Sequence, residues 1–139
     1  MTEKAEGARG RVAESEKITI NLGYVDLGHV DLMVNEGFYS NRTDFIRTAI
    51  RNQLDKHADI VRHLVARRTL DLGLRNYSRA ELEAVRKSGE TLRINVLGLA
   101  TIAPDVTPEL ARATIASITV LGALHASAEV RAALLDRMR

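Results

Sequence analysis

Three polar side chains alternate with aliphatic ones in the segment EKITINL, residues 16–22. Lys17, Thr19 and Asn21 supply a cation, a hydroxyl and a carboxamide. Strict alternation is the period of a half-buried strand. A carboxamide can make two hydrogen bonds with adenine, and lysine can reach the acceptors of guanine. The pattern predicts a strand with one face suited to base contacts in a major groove.

A second candidate binding site is the N-terminus of a helix that is predicted to begin at Ser40 or Asn41. Either residue can cap the helix, and Thr43 and Asp44 lie near the capping-box position. The first turn of a helix has unpaired N–H groups and the positive end of the helix dipole, which together bind phosphate. Asp44 adds a negative charge, so we expect only modest phosphate affinity.

Three secondary-structure elements must position the polar residues of the strand and the start of this helix. The strand 16–22 is followed by Gly23 and has no hairpin partner, so a second copy of the chain is the simplest source of one. A helix is predicted over 26–36, with Asp26 as its N-cap and Gly37 as its terminator. The next helix carries an apolar stripe and either continues to about Arg67 or bends near Ala58.

Strand, helix, turn and helix in this order resemble the ribbon-helix-helix family of the Arc, MetJ and CopG type, over about residues 16–57. The resemblance rests on the alternating strand followed at the right distance by GFYSNRTDFIRTAI. It implies that two chains pair their strands into an antiparallel ribbon that enters the DNA major groove, while four helices share one core. The implied phosphate contacts are Ser40, Asn41, Arg42 and Thr43, and the implied dimer core is Ile18, Ile20, Leu22, Phe45 and Ile46.

The C-terminal half contains an internal repeat. INVLGLATIAPDVTPEL and ITVLGALHASAEVRAAL align at an offset of 24 residues, and LDLG precedes them as a weaker echo. This period predicts stacked β-rungs or strand–turn–helix units. We expect short β-segments plus one helix over 79–88, capped by Ser78 and ended by Gly89. Gly98 and Gly122 are interpreted as bends or close-packing points. The apolar residues of the repeat are expected to be covered by another chain, namely Leu92, Ile94, Val96, Ile115, Ile118, Val120 and Leu124.

Composition limits the remaining possibilities. The chain has no cysteine, a net charge of +2 and four histidines in no metal-binding pattern, so no metal or cofactor is expected. Neither a membrane span nor a signal peptide is recognisable, which predicts a cytoplasmic, nucleoid-associated protein. The fold class is α+β, in four parts: a flexible arm over 1–15, the ribbon-helix-helix domain over 16–57, a helical connector over 58–68, and an oligomerisation domain over 69–139.

The function favoured by these patterns is a DNA-binding transcriptional repressor that acts as a homodimer and assembles further through its C-terminal region. One alternative is the antitoxin of a toxin–antitoxin pair, although such tails tend to be charged and disordered rather than apolar and repetitive. A second is a DNA-organising protein that forms polymers. An enzyme is not expected, because no nucleophile–base pair or carboxylate cluster stands out. A toxin or a small-molecule effector stays open as a further partner.

Overall fold

The computed structural model describes residues 15–139, so the arm predicted over 1–15 lies outside the described residues except for Ser15. The described chain contains six α-helices and one three-stranded sheet, which confirms the α+β class. Its residues form two compact units, Ser15–Leu64 and Val65–Arg139. We call them the N-terminal unit and the C-terminal unit.

The N-terminal unit contains helix α1, Tyr24–Asn35, and helix α2, Arg42–Lys56. The prediction of Asp26 as an N-cap was wrong, because the N-cap is Gly23 and no side chain caps the helix. Asp26 instead lies in the first turn, where its charge complements the helix dipole.

The turn after α1 has the predicted terminator. Gly37 has a φ of 84°, its N–H donates to the carbonyl of Val34 at 3.0 Å, and the N–H of Phe38 donates to Met33 at 3.1 Å. This is the Schellman arrangement, in which a left-handed residue satisfies the last carbonyls of a helix.

Helix α2 does not continue unbroken into the connector. It ends at Lys56, His57 leaves helical geometry, and helix α3 covers Ala58–Arg67. Of the two alternatives predicted, the bend near Ala58 is therefore confirmed.

The C-terminal unit alternates strands and helices. The strands are β1, Asp71–Tyr77; β2, Leu92–Ile102; and β3, Ile115–His125. The helices are α4, Arg79–Ser88; α5, Pro108–Thr114; and α6, Ala128–Leu134, which a 3-10 turn follows over Leu135–Arg137. The strands lie in the order β1-β2-β3, and both pairings are parallel.

The register of the sheet explains the repeat. Ile94 pairs with Ile118 and Gly98 with Gly122, so the 24-residue offset is the step from one strand–helix unit to the next. Helix α4 begins and ends as predicted, with Ser78 accepting from the N–H of Glu81 and Gly89 at the C-cap. The prediction of a single helix was wrong: α5 and α6 also form, capped by the side chains of Thr107 and Ser127.

The three helices cover one face of the sheet and make a common core with it. Leu82, Leu110 and Leu134 come from the helices, and each is at most 3% exposed. Several residues that we expected another chain to cover are instead buried within this core: Ile94, Val96, Ile115 and Ile118, with Leu92, Val120 and Leu124 packed against it. They are internal because the helices missed by sequence reasoning cover them.

A row of glycines crosses the sheet. Gly73, Gly98 and Gly122 are paired neighbours with φ values of 115°, 140° and 123°. A Cβ at Gly98 would lie 2.2 Å from the carbonyl oxygen of Gly73, and one at Gly122 would lie 2.1 Å from that of Gly98. The interpretation of Gly98 and Gly122 as close-packing points is confirmed.

Candidate nucleic-acid interface

The segment before α1 has no assigned secondary structure and is exposed. Lys17, Thr19 and Asn21 all face solvent in the single chain, as do the aliphatic residues between them. Ile18 is 72% exposed and Ile20 is 56% exposed. No ladder pairs this segment within the described chain, and a strand is defined by the partner that it hydrogen-bonds. The paired ribbon therefore stays a prediction.

An apolar groove of about 530 Å³ lies beside this segment. Its aliphatic and aromatic lining comes from this segment, α1 and α2: Ile20, Leu22, Val30, Phe45, Ile46, Ala49 and Ile50. Four of the five side chains that the resemblance assigns to a dimer core line this groove, namely Ile20, Leu22, Phe45 and Ile46. Val30 is the one buried hydrophobic residue in the described N-terminal unit, at 6% exposed. The unit thus has little closed core of its own.

Two hydrogen bonds from backbone N–H groups to side chains cap the start of α2. Asn41 is the N-cap, and its Oδ1 accepts from the N–H of Asp44 at 2.8 Å. The carboxylate of Asp44 in turn accepts from the N–H of Ser40 at 2.9 Å. Because both of those N–H groups are occupied, the donors left for an anion in the first turn are the N–H groups of Arg42 and Thr43, which have no intrahelical acceptor by position.

Arg42 holds a carboxylate of the preceding helix. Its Nε and one terminal nitrogen donate to the two oxygens of Asp31, each at 2.8 Å, so that the pair is bidentate. These hydrogen bonds lower the pKa of the Asp31 carboxyl and raise the pKa of the Arg42 guanidinium. Both side chains remain about half exposed. Arg42 is consequently positioned at the start of α2, and a phosphate there would have to share it with Asp31.

Sequence reasoning missed Asp31. It lies eleven residues from Arg42 and in a different helix, so no periodicity within one element could have indicated the pair. Tyr39, by contrast, packs its ring edge-to-face on Phe45 with centroids 4.8 Å apart, which fixes the turn against α2.

Among residues 15–139, no cluster of three or more His, Asp or Glu side chains could hold a metal ion. No helix in the same range combines the length and apolar character needed to cross a bilayer.

Comparison with known proteins gives the class of protein. The sequence model of the Ribbon-Helix-Helix transcriptional regulator family matches residues 13–131. The transcriptional regulator CdrS of Halobacterium salinarum is 34% identical over 44 residues, which is 32% of this chain and 80% of CdrS. No solved structure matches.

The chain therefore belongs to the ribbon-helix-helix family of transcriptional regulators, as the resemblance predicted. Membership assigns it to DNA-binding regulation. The family match also extends well beyond residues 16–57 and includes most of the C-terminal unit, which the resemblance alone had left unassigned.

Proposed function

We propose that the protein is a repressor that binds DNA as a homodimer, with residues 16–22 of two chains paired as an antiparallel ribbon in the major groove. The observation that carries the proposal is the exposed aliphatic face of this segment beside the apolar groove of α1 and α2. A second chain that covers both would complete the missing core, since burying one such side chain is worth roughly 1.5–3 kcal/mol relative to full exposure.

The polar face of the same segment is the proposed base-contacting surface. Lys17, Thr19 and Asn21 are exposed, and alternation keeps them away from the aliphatic face. A two-stranded ribbon fits the major groove, where each base pair presents a distinct set of donors and acceptors. Each good bidentate contact contributes about 1–3 kcal/mol of discrimination.

The start of α2 is the proposed phosphate clamp. Ser40, Asn41, Arg42 and Thr43 surround the free N–H groups of the first turn, and Arg42 adds a cation. Its pairing with Asp31 reduces the net attraction for phosphate but holds the guanidinium in place, which supports a positioning contact of moderate strength.

We also propose that dimers associate further through the C-terminal unit, which would give cooperative binding to adjacent sites. A net charge of only +2 supports this, because a weakly basic protein gains affinity when linked copies bind together. The unit has a packed core of its own, which favours a regulator over an antitoxin with a disordered tail. Light scattering is the check: a strictly dimeric mass with and without DNA contradicts assembly beyond the dimer.

The test of the dimer compares two isoleucines of similar exposure. Ile20, at 56% exposed, lines the groove, whereas Ile60, at 59%, lies on α3 outside it. Ile20→Asp should abolish dimerisation and DNA binding, because the charge would be buried without a partner. Ile60→Asp should leave both unchanged. A dimeric, DNA-binding Ile20→Asp protein refutes the assigned strand face.

The test of DNA contacts uses a site selected from random DNA by the full chain. Asn21→Ala should weaken binding to that site by roughly 1–3 kcal/mol and change random DNA little. Arg42→Ala should weaken both and reduce the salt slope by about one. Asp31→Asn is the control, since it frees Arg42 and should not reduce binding. Equal losses on both DNAs for Asn21→Ala would contradict base contact by the ribbon.

A further inference from the structure

One face of the C-terminal sheet carries none of the helices of the described C-terminal unit. The helices of the described C-terminal unit lie on the face that holds Ile94 and Val96. Because side chains alternate along a strand, the opposite face receives two adjacent rows of paired residues: Leu72, Leu97 and Leu121 in the first, and Leu74, Leu99 and Ala123 in the second. We call these six residues the leucine face. Leu72 is 75% exposed, Leu74 61% and Leu121 40%.

The chemistry of the leucine face limits what can cover it. Parallel sheets occur almost only with both faces covered. No Asp, Glu, Lys or Arg lies in its two rows, and the rows on either side are uncharged or weakly basic: Asn95 and Thr119 on one side, and Asn76, Thr101 and His125 on the other. A charged partner would lose hydration there and gain no ion pair. The occupant must present an apolar surface without charges.

The size of the face favours an occupant already held in the same particle. Three strands about 4.8 Å apart, with some five residues at about 3.3 Å each, give a surface of roughly 240 Å². A stable interface between free proteins buries about 800 Å² per partner. A smaller contact suffices when a linker supplies an effective concentration in the millimolar range.

We infer that the leucine face packs against the same face of a second copy of this chain. A copy is apolar and uncharged in the same rows, and an isologous contact uses one surface twice. The inference deepens the proposed function and rests on its homodimer, which brings two such faces into one particle. Two sheets packed in this way lie about 10 Å apart, with their side chains interdigitated.

The strand edges are less suited to this contact. The start of the outer edge of β3 is occupied by the chain itself: Met138 bridges Ile118, and the N–H of Arg139 donates to the carbonyl of Ile118 at 2.9 Å. An end-to-end stack of copies would have to displace these residues, whereas face-to-face packing displaces nothing within the described unit.

The experiment uses the absence of cysteine from the chain. In the full-length protein, Leu97→Cys places a thiol at the middle strand of the leucine face, and Ala84→Cys places one on the exposed side of α4 as a control. Because facing sheets lie about 10 Å apart, too far for a direct disulfide, a short bismaleimide that links two thiols is used; it should join pairs of chains through Leu97→Cys and few through Ala84→Cys. Leu99→Cys repeats the test one row away if Leu97→Cys fails to fold by circular dichroism.

A second substitution tests whether packing brings the thiols together. Added to Leu97→Cys, Leu72→Glu should slow cross-linking by roughly tenfold or more, because like charges would meet across the contact. Leu135→Glu is the matched control, since Leu135 is 71% exposed but lies outside the face; it should have no effect.

The outcomes separate this inference from the proposed function. Light scattering under reducing conditions reports the homodimer, and cross-linking reports the face. A dimeric mass with no excess cross-linking at residues 97 or 99 overturns the leucine-face contact and leaves the ribbon dimer standing. A monomeric mass overturns the proposed dimer itself. A cross-linked particle with the mass of one dimer supports the contact. A larger mass would place the contact between neighbouring dimers and contradict the step that derives it from the homodimer.

Discussion

Replacing Gly98 by alanine should destabilise the C-terminal unit more than the same change at Gly73. The Cβ at residue 98 would lie 2.2 Å from the carbonyl oxygen of Gly73, more than an ångström inside ordinary van der Waals contact. Residue 73 has the same kind of backbone, with a φ of 115°, but a Cβ there meets nothing within 4 Å. The pair therefore separates the steric clash from the backbone strain.

The expected magnitudes follow from these two contributions. A non-glycine residue held at such a positive φ costs about 1–3 kcal/mol. Forcing main-chain atoms apart in a packed structure adds about 1–3 kcal/mol. Gly98→Ala should thus lower the free energy of unfolding by roughly 2–6 kcal/mol, and Gly73→Ala by the strain alone. Since a domain has only about 5–15 kcal/mol in total, Gly98→Ala brings the unit close to unfolding.

Hydrogen exchange measured on peptides of β2 and β3, together with urea unfolding, gives the comparison within the unit concerned. Gly28→Ala serves as a control for the substitution itself, since Gly28 lies within α1 with open space around it; it should stabilise its helix by roughly 0.5–1 kcal/mol. An equal loss of unfolding free energy for Gly73→Ala and Gly98→Ala would contradict this prediction, because the close approach of the strands at residue 98 would then add no cost.

Three further predictions concern polar side chains of the C-terminal unit. Thr114→Val removes a fully buried hydroxyl that donates to the carbonyl of Leu110 at 2.7 Å and should cost about 1–2 kcal/mol in thermal unfolding. Thr101→Val removes a buried hydroxyl that has no partner among the described residues and should be neutral or stabilising; a loss as large as that at Thr114 contradicts this assignment. The Asp136 carboxyl accepts from Arg112 at 2.9 Å, which lowers its pKa. The stabilisation from this pair is present above the unfolded pKa of about 3.9 and is lost as the pH falls through the lowered folded value. Asp136→Asn should therefore make acid unfolding of the C-terminal unit less steep below about pH 4, and an unchanged profile would show that the exposed pair contributes nothing.

Local signals predicted the local structure well. Helix α4 carries both a capping serine and a C-terminal glycine in its sequence, and both act as predicted. The repeat predicted strand–turn–helix units as one of two alternatives, and its aligned residues are the ones that the sheet pairs, because equivalent strands keep equivalent residues. The helices α5 and α6 were missed since each has only seven residues, too few for an apolar period to be distinguished from a strand. Their caps, Thr107 before a proline and Ser127 three residues before Val130, were the available signal.

Contacts between distant residues could not be predicted. The pairing of Arg42 with Asp31 depends on how α1 and α2 cross, which no single segment encodes. The same holds for the leucine face. Its rows form only when the three strands align in the sheet. From the sequence alone we expected a second chain to cover apolar residues that the helices of the same chain bury. The pattern of polar and apolar residues identified which segments are amphipathic. Which of their apolar residues are buried depends on where the helices pack.

The unequal ends of the parallel sheet have a consequence for how the C-terminal unit opens. In an array where each strand–helix unit is stabilised mainly by its neighbours, stability falls toward an end that lacks one. Strand β3 has eleven residues and is partly closed by Met138 and Arg139, whereas β1 has seven residues, of which only Tyr77 is buried. Fraying should therefore begin at β1 and travel toward β3 rather than spread from both ends. Because β1 follows α3 in the chain, each fraying event would lengthen the unfolded segment between α3 and β2, and the length of that segment would increase with temperature.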